Sequence, residues 1–279
     1  NVVKLMRSVK ATAADGKPQV TFYDPGVGTE SKIRRFFGGA FGVGLSTNVR
    51  DGYRFIANNY EDGDEIFLFG FSRGAFTARS IGGLIGKFGL LRKEEMDQFG
   101  EAYDVYRNKD AGEADLAPFV ALGHGKIKIH FIGVWDTVGS LGVPVSRINR
   151  LLKKFRDFQD FHDTSLNTNI RHAYHAVAID ERRGPFPATL WIKGNESRVE
   201  TAQQVWFCGV HSNVGGGYPD AGLENCALHW MTAKAGSHGL DLNTGYLAGF
   251  EPNPGGELYD SRKGMYLTMN PKIRDVDWT

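Results

Sequence analysis

A five-residue motif, Gly70-Phe-Ser-Arg-Gly74, constrains the fold of this chain more than any other feature. The apolar run Ile66-Phe-Leu-Phe69 precedes it, and a segment rich in small residues, 75–88, follows it. The apolar run predicts a central parallel strand that is buried on both faces. Strand, G-x-S-x-G and helix in this order are typical of a nucleophile elbow, which holds a serine hydroxyl at the carboxyl edge of a parallel sheet. A chain with 36 glycines can contain this motif by chance, so the prediction of a nucleophile elbow depends on the flanking strand and helix. The alternative is a Gly-rich turn with a surface serine.

Apolar runs with strand and helix periodicity alternate along the chain. This alternation predicts an α/β fold, α/β-hydrolase-like, with a mainly parallel sheet and helices on both faces. We expect loops at 25–44 and 109–125. The predicted strands are 19–23, 65–69, 126–135 and 204–210, and the predicted helices are 1–9, 47–60, 75–88, 94–108 and 169–180.

The predicted elements divide the chain into two parts. Residues 1–240 form the expected catalytic domain, and residues 241–279, rich in Gly, Pro and Asn, form a loop-rich tail. Mixed charge and many aromatic residues at 144–169 predict a helical insertion that caps a substrate cleft. The strand that opens this fold, whose following loop donates one N–H to an oxyanion hole, is expected to be missing from the chain.

Composition excludes several classes of protein. Lys and Arg number 33 against 32 Asp and Glu, a balance that argues against nucleic-acid binding. The two cysteines are too few for a disulfide scaffold, and we expect them to be free and buried. No apolar stretch reaches the length of about 18 residues that crosses a bilayer, and no signal peptide opens the chain. These observations predict a soluble protein whose export, where it occurs, uses a signal-independent route.

A serine nucleophile needs a base to take its proton and a carboxylate to orient that base. Of the eight histidines, His211 alone follows a strongly predicted buried strand and begins a Gly-rich loop, so it is the predicted base. His130 lies within a predicted strand and is interpreted as a core residue. His172 and His175 lie three apart on a predicted helix, but no nearby carboxylate or cysteine completes a metal site, so no metal is predicted.

The acid is predicted to be Asp136, because it ends the strand after the nucleophile strand and therefore shares a sheet edge with Ser72. Asp180 is the alternative acid, and Asp220 lies close to His211 in sequence. The backbone N–H of Arg73 is the natural first oxyanion donor, and Gly74 is assigned to the same oxyanion and substrate-binding site.

The segment 36–45 is apolar and Gly-rich and follows Arg34 and Arg35. Such a segment is a candidate for peripheral contact with a lipid surface that has anionic head groups. The alternative, which we favour at this point, is a buried Gly-rich crossover.

Five motifs together resemble one family: residues 23–29, 63–75, 133–139, 178–183 and 205–218. It is the α/β-hydrolase domain found in the first lipase class of type VI secretion phospholipase effectors, and the resemblance spans about residues 1–235. It implies that Ser72 is the nucleophile and His211 the histidine, with Asp136 in the place of the acid. From this resemblance we expect the chain to lack the family's first strand, which ends in Asp-Gly-Thr, and the long membrane-docking regions of the larger effectors.

The predicted function is therefore a serine hydrolase of carboxylic esters, a phospholipase A or lipase, with a Ser-His-Asp triad. Its expected partner is a lipid or other ester substrate, and it needs no cofactor. The alternative is a non-catalytic lipid- or protein-binding module on a hydrolase fold. A fluorophosphonate probe separates the two hypotheses, because it labels only an activated serine.

Overall fold

The computed structural model describes residues 1–26, 40–108, 110–138, 166, 169–191, 199–268 and 270–276. Nearly all of the predicted insertion at 144–169 and most of the loop at 25–44 lie outside these residues. The helices are α1 Val2–Ser8, α2 Ala40–Asn59, α3 Arg73–Phe88, α4 Phe99–Arg107, α5 Glu113–Ala121, α6 His211–Gly215, α7 Gly222–Ser237 and α8 Thr244–Leu247. The strands are β1 Ile66–Phe71, β2 Ile129–Trp135, β3 Ile170–Ala178 and β4 Thr201–Phe207, and 3-10 turns lie at Lys93–Gln98 and Gly264–Thr268.

The four strands form one sheet in the order β1-β2-β3-β4, and every neighbouring pair is parallel. Phe71 pairs with Trp135, and Trp135 pairs with Ala176, so the carboxyl ends of the strands meet at one edge. The residues that follow β1 and β2 therefore come close together in space. This arrangement confirms the predicted α/β fold with a parallel sheet.

Each face of the sheet packs against helices. Alternate residues of β2 point to opposite faces, and Ile132 and Val134 pack with residues of α2, α3 and α4 in one apolar cluster. Phe131 and Trp135 pack with residues of α1 and α7 in the other. The predicted layers on both faces are confirmed, and they hold the sheet edge from two sides.

The segment predicted as a helix over 169–180 is strand β3, so that prediction was wrong. Its alanines and its two histidines three residues apart mimic a helical pattern. Neighbouring side chains nevertheless go to opposite sheet faces, Ala173 to one cluster and Tyr174 to the other. Burial between two helical layers outweighs the helix propensity of alanine.

Three smaller predictions also differ from the structure. Residues 19–23 belong to no strand, and Val20 is 66% exposed. The predicted loop at 109–125 contains α5, because Leu116 and Phe119 bury one side of that segment. Strand β1 lies at one edge of the described sheet rather than in its centre, and its residues alternate between buried and half-buried.

Both cysteines are free, as predicted, but Cys208 is exposed and Cys226 half-buried. Cys208 comes directly after β4, which lies at an edge of the described sheet and whose residues are half-buried or exposed. Within the described parts of the chain, no helix combines the length and the apolar character that a bilayer crossing demands.

Candidate active site

Ser72 occupies a sharp turn between β1 and α3. Its backbone has φ 58° and ψ −118°, and its N–H donates to the carbonyl of Trp135 at 3.0 Å, continuing the pairing with β2. Its carbonyl accepts from Phe76 N at 3.3 Å, which starts the hydrogen bonding of α3. The turn therefore projects the serine at the carboxyl edge of the sheet, as expected of a nucleophile elbow.

The turn is tight enough to require glycine at position 70. A Cβ there would lie 2.2 Å from the carbonyl oxygen of Gly74 and 2.6 Å from the Cα of Ala75. Gly74 differs, because a Cβ at that position meets no heavy atom within 4 Å. Close approach of strand and helix thus explains the first glycine of the motif but not the last.

His211 begins helix α6, and its imidazole lies next to Ser72. Nε2 is 2.8 Å from the Ser72 hydroxyl, and the residue is only 5% exposed. Its ring packs against Phe71, with centroids 4.5 Å apart, and meets Phe186 edge-on at 5.3 Å. Two aromatic side chains therefore fix the plane of the imidazole.

Asp136 follows β2 and is completely buried. Its Oδ2 accepts from His211 Nδ1 at 2.6 Å, and its Oδ1 accepts from the backbone N–H of Ala178 at 2.9 Å. Burial opposes ionisation of this carboxyl, but the hydrogen bond from His211 and the positive charge of Arg274 hold its pKa well below the usual range. Because the ionised carboxylate has no proton to donate, Nδ1 carries the proton and Nε2 presents its lone pair to Ser72.

Ser72 and Asp136 share an unusual backbone conformation. Among the described residues other than glycine, they are the two with positive φ, 58° and 37° respectively. Positive φ is costly for a residue with a Cβ, and such strain collects at functional sites. The side chains of these two strained residues contact opposite nitrogens of the His211 imidazole.

Asp180, the alternative acid, lies elsewhere in the network. Its Oδ2 accepts from Gly209 N at 2.7 Å, and its own N–H donates to the carbonyl of Gly209 at 3.0 Å. These bonds join the end of β3 to the loop that leads into His211. Asp220 accepts at 2.9 Å from the N–H of Gly222, the first residue of α7. The structure therefore brings Asp136, and neither of the other two carboxylates, onto the imidazole.

Glu181 is a site residue that the sequence analysis did not single out. Its buried carboxylate accepts from the backbone N–H of His211 at 3.2 Å and pairs with Arg183 through Nε and Nη2 at 2.9 and 2.8 Å. Burial opposes its ionisation, yet the hydrogen bonds and charge of Arg183 lower its pKa. Ser261 also donates to it, at 2.9 Å. In the sequence, Glu181 stands beside two arginines and resembles part of a solvated charged surface.

His175 lies behind the acid on β3. Its Nε2 accepts from Thr137 N at 3.1 Å, and its Nδ1 is 3.1 Å from Oε1 of Gln204. Burial, followed by the positive charge of Arg79, lowers the pKa of His175 to about 3. A neutral imidazole therefore holds the backbone directly after Asp136. In the described part of the chain, neither this residue nor His172 belongs to a group of side chains suited to a metal ion.

The first turn of α3 begins directly at Ser72. The backbone N–H groups of Arg73 and Gly74 belong to this first turn, the end of a helix at which anions bind. Gly74 is exposed, and Arg73 is half-buried. Burial lowers the pKa of the Arg73 guanidinium. These backbone groups, together with the helix dipole, suit an oxyanion.

Segment 36–45 lies almost entirely outside the residues with described side chains. Leu45 is the exception: it is 1% exposed and packs against Phe76. Leu45 therefore belongs to the buried interior, which agrees at this end of the segment with the buried crossover favoured from the sequence.

A family model described as the catalytic domain of Tle1-like phospholipase effectors of type VI secretion matches residues 1–234. The uncharacterized protein YEL023C of Saccharomyces cerevisiae is 29% identical over 211 residues, which cover 67% of this chain and 29% of that protein. A solved structure of the Tle1 effector bound to the VgrG spike aligns at 19% identity with a TM-score of 0.43, over 78% of this chain and 40% of that one. An uncharacterized protein from Pseudomonas aeruginosa aligns at 20% identity with a TM-score of 0.38, over 76% and 31%. The chain thus spans less than half the length of these three proteins.

Proposed function

This chain belongs to the Tle1-like family of type VI secretion phospholipase effectors, and because it matches the catalytic domain of that family, we propose that it is a serine hydrolase of carboxylic esters in phospholipids. One observation carries the proposal. An unbroken line of hydrogen bonds runs from Ser72 Oγ to His211 Nε2 at 2.8 Å and from His211 Nδ1 to Asp136 Oδ2 at 2.6 Å. This order of groups and these distances are those of an activated nucleophile.

The proposed reaction proceeds in two halves. Ser72 Oγ attacks the acyl carbonyl carbon while its proton passes to His211 Nε2, and Asp136 stabilises the imidazolium that forms. The negative oxygen of the tetrahedral intermediate is bound by the N–H groups of Arg73 and Gly74 at the start of α3. The imidazolium then gives its proton to the leaving alcohol, and water hydrolyses the acyl-enzyme by the same steps in reverse.

A fluorophosphonate probe tests the nucleophile. We expect the wild type to be labelled and Ser72→Ala to be unlabelled, while the matched change Ser237→Ala, at an exposed serine on α7, leaves labelling unchanged. Labelling that persists in Ser72→Ala would remove Ser72 from the proposal. A panel of phosphatidylcholine vesicles, triglyceride and short nitrophenyl esters then identifies the ester class.

This proposal includes peripheral contact with the lipid surface through the amino-terminal part of segment 36–45. Phe36, Phe37 and Phe41 follow two arginines, a pattern that suits anionic head groups. Replacing Phe37 and Phe41 together with Ser is expected to lower turnover of vesicles at least tenfold, because each phenylalanine that is fully buried in lipid contributes up to about 1.5–3 kcal/mol. Soluble esters should be hydrolysed as before. Equal loss on both substrates with a lowered Tm would place these residues in the core instead.

A further inference from the structure

A cation from the carboxyl-terminal tail contacts the proposed catalytic acid. Arg274 donates through Nη1 to Asp136 Oδ1 at 2.5 Å and through Nη2 to Asp136 Oδ2 at 3.0 Å. Its side chain is 6% exposed and that of Asp136 is fully buried. Arg274 lies beyond residues 1–234, the part of the chain that the family model covers.

The guanidinium of Arg274 also donates hydrogen bonds to two backbone carbonyls. Nη1 donates to Ala178 O at 2.6 Å, and Nη2 donates to Phe186 O at 2.8 Å. Ala178 ends β3 and itself donates to the acid, and the ring of Phe186 meets the imidazole of His211. Arg274 therefore joins the acid to the two pieces of chain that surround the proposed base.

The tail is held so that Arg274 reaches this place. Lys272 N donates to the carbonyl of Arg182 at 3.0 Å, in the loop after β3. The side chain of Lys272 is exposed, whereas that of Arg274 points inward. A backbone hydrogen bond two residues before Arg274 thus docks the segment.

The acceptor sites of Asp136 are shared among three donors. Oδ1 takes Ala178 N–H and Nη1 of Arg274, while Oδ2 takes His211 Nδ1 and Nη2 of Arg274. A planar guanidinium that binds both oxygens fixes the plane of a carboxylate, because both hydrogen bonds have to be satisfied together. The plane of this carboxylate sets the direction of the bond to His211.

We infer that Arg274 is a positioning residue of the proposed reaction, which orients Asp136 toward His211 and moderates the negative charge that Asp136 presents to the imidazole. The tail then contributes one side chain, that of Arg274, to the catalytic unit. This inference rests on the proposed function, since Asp136 has to act through His211 for its orientation to affect turnover.

The positive charge gives the inference a signature in the pH profile. The charged groups that contact His211 in the described structure are Asp136, with Arg274 on its far side, and Glu181 at the backbone N–H, paired with Arg183. A nearby cation disfavours a second positive charge on the imidazole. Without Arg274 the imidazole should take up a proton at higher pH. On lowering the pH, kcat/KM of the variant should therefore begin to fall at a higher pH than kcat/KM of the wild type.

The test compares Arg274→Gln, Arg274→Lys and the matched change Lys272→Gln on a soluble ester. For Arg274→Gln we expect kcat to fall about tenfold to a hundredfold with little change in KM, as for a displaced catalytic group. We also expect the acidic limb of the kcat/KM profile to move up by about one pH unit. Arg274→Lys keeps the charge but not the two-pronged geometry, so kcat falls while the limb stays in place. Lys272→Gln should match the wild type.

Three results would overturn the inference. The first is a wild-type kcat and pH profile in folded Arg274→Gln, and the second is a fall in kcat of Arg274→Gln with an unmoved acidic limb and a lowered Tm. The third is a wild-type kcat in Arg274→Lys. Where Arg274→Gln does not fold, Arg274→Lys decides alone. The labelling of Ser72→Ala is read in parallel. If it persists, the proposed function fails; if it is abolished while the Arg274 variants behave like wild type, only the inference about Arg274 fails.

Discussion

The backbone N–H of His211 donates to Oε2 of Glu181 at 3.2 Å, so a buried carboxylate holds the first residue of the helix that carries the proposed base. Glu181 in turn depends on Arg183 for its charge balance. The position of the imidazole therefore rests on an ion pair that does not touch the imidazole ring.

Glu181→Gln should destabilise the fold by about 3 kcal/mol, because it leaves the guanidinium of Arg183 without a charged partner in a mostly buried site. Denaturant unfolding measures the change. The matched variant Glu200→Gln breaks the exposed ion pair with Arg171 and should change stability by no more than about 1 kcal/mol. Equal effects of the two changes would mean that the ion pair of Glu181 with Arg183 contributes no more to stability than an exposed pair.

Asp136→Asn should lower kcat by roughly three to four orders of magnitude, because an amide at this position no longer stabilises the imidazolium. Asp180→Asn keeps an oxygen acceptor for Gly209 N–H, so kcat should fall less than about tenfold while stability decreases. Steady-state kinetics on folded variants compares the two. The reverse ranking would move the acid to Asp180.

His175 predicts a pH dependence of stability. The folded pKa is lowered to about 3 from an ordinary value of 6.5, so between these values the unfolded state binds a proton that the folded state does not. The free energy of unfolding should therefore rise with pH across this window, by about 1.4 kcal/mol per pH unit for this one group. The pKa values of His172 and His238 are also lowered, by burial first, which adds to the slope.

His175→Gln and His175→Phe separate titration from hydrogen bonding. Both lack the titrating group, so the slope of stability between pH 4 and pH 6 should decrease by about 1.4 kcal/mol per unit in each. Only the phenylalanine leaves Thr137 N–H without an acceptor, which should cost a further 1–3 kcal/mol or so at pH 7. An unchanged slope in both variants would show that His175 is protonated in the folded state.

Gly70→Ala should prevent folding or destabilise it by about 3 kcal/mol, because the new Cβ would collide with the backbone of Gly74. Gly74→Ala introduces the same methyl group at a position where no atom lies within 4 Å, so the protein should fold normally. Thermal unfolding of the two variants is the measurement. Equal stability would contradict the tight turn described for the elbow.

The three residues of the proposed triad could be predicted because each follows an apolar strand. Ser72, Asp136 and His211 come after three such runs, and parallel strands bring their carboxyl ends to one edge. Glu181 and Arg274 could not be predicted in this way. Arg274 is placed by the carbonyls of Ala178 and Phe186, and backbone acceptors leave no mark in the sequence.

Helix and strand could be told apart only where the pattern was unambiguous. The run that became β3 combines alanines with polar residues at helical spacing, and the packing that makes it a strand comes from α7 and α3, which lie far from it in sequence. Tertiary burial of this kind overrides local propensity. The same limit explains α5, whose buried face packs against α3 and α4.

The positive φ of Ser72 sets function against stability. A residue with a Cβ in this conformation costs about 1–3 kcal/mol, and glycine relieves most of that strain. Ser72→Gly should therefore be more stable than Ser72→Ala by about 1 kcal/mol, although both lack the hydroxyl. The fold would then be more stable without the proposed nucleophile. On the proposed function, turnover requires a strained serine at this turn, and helices packed on both faces of the sheet supply the stability that tolerates it.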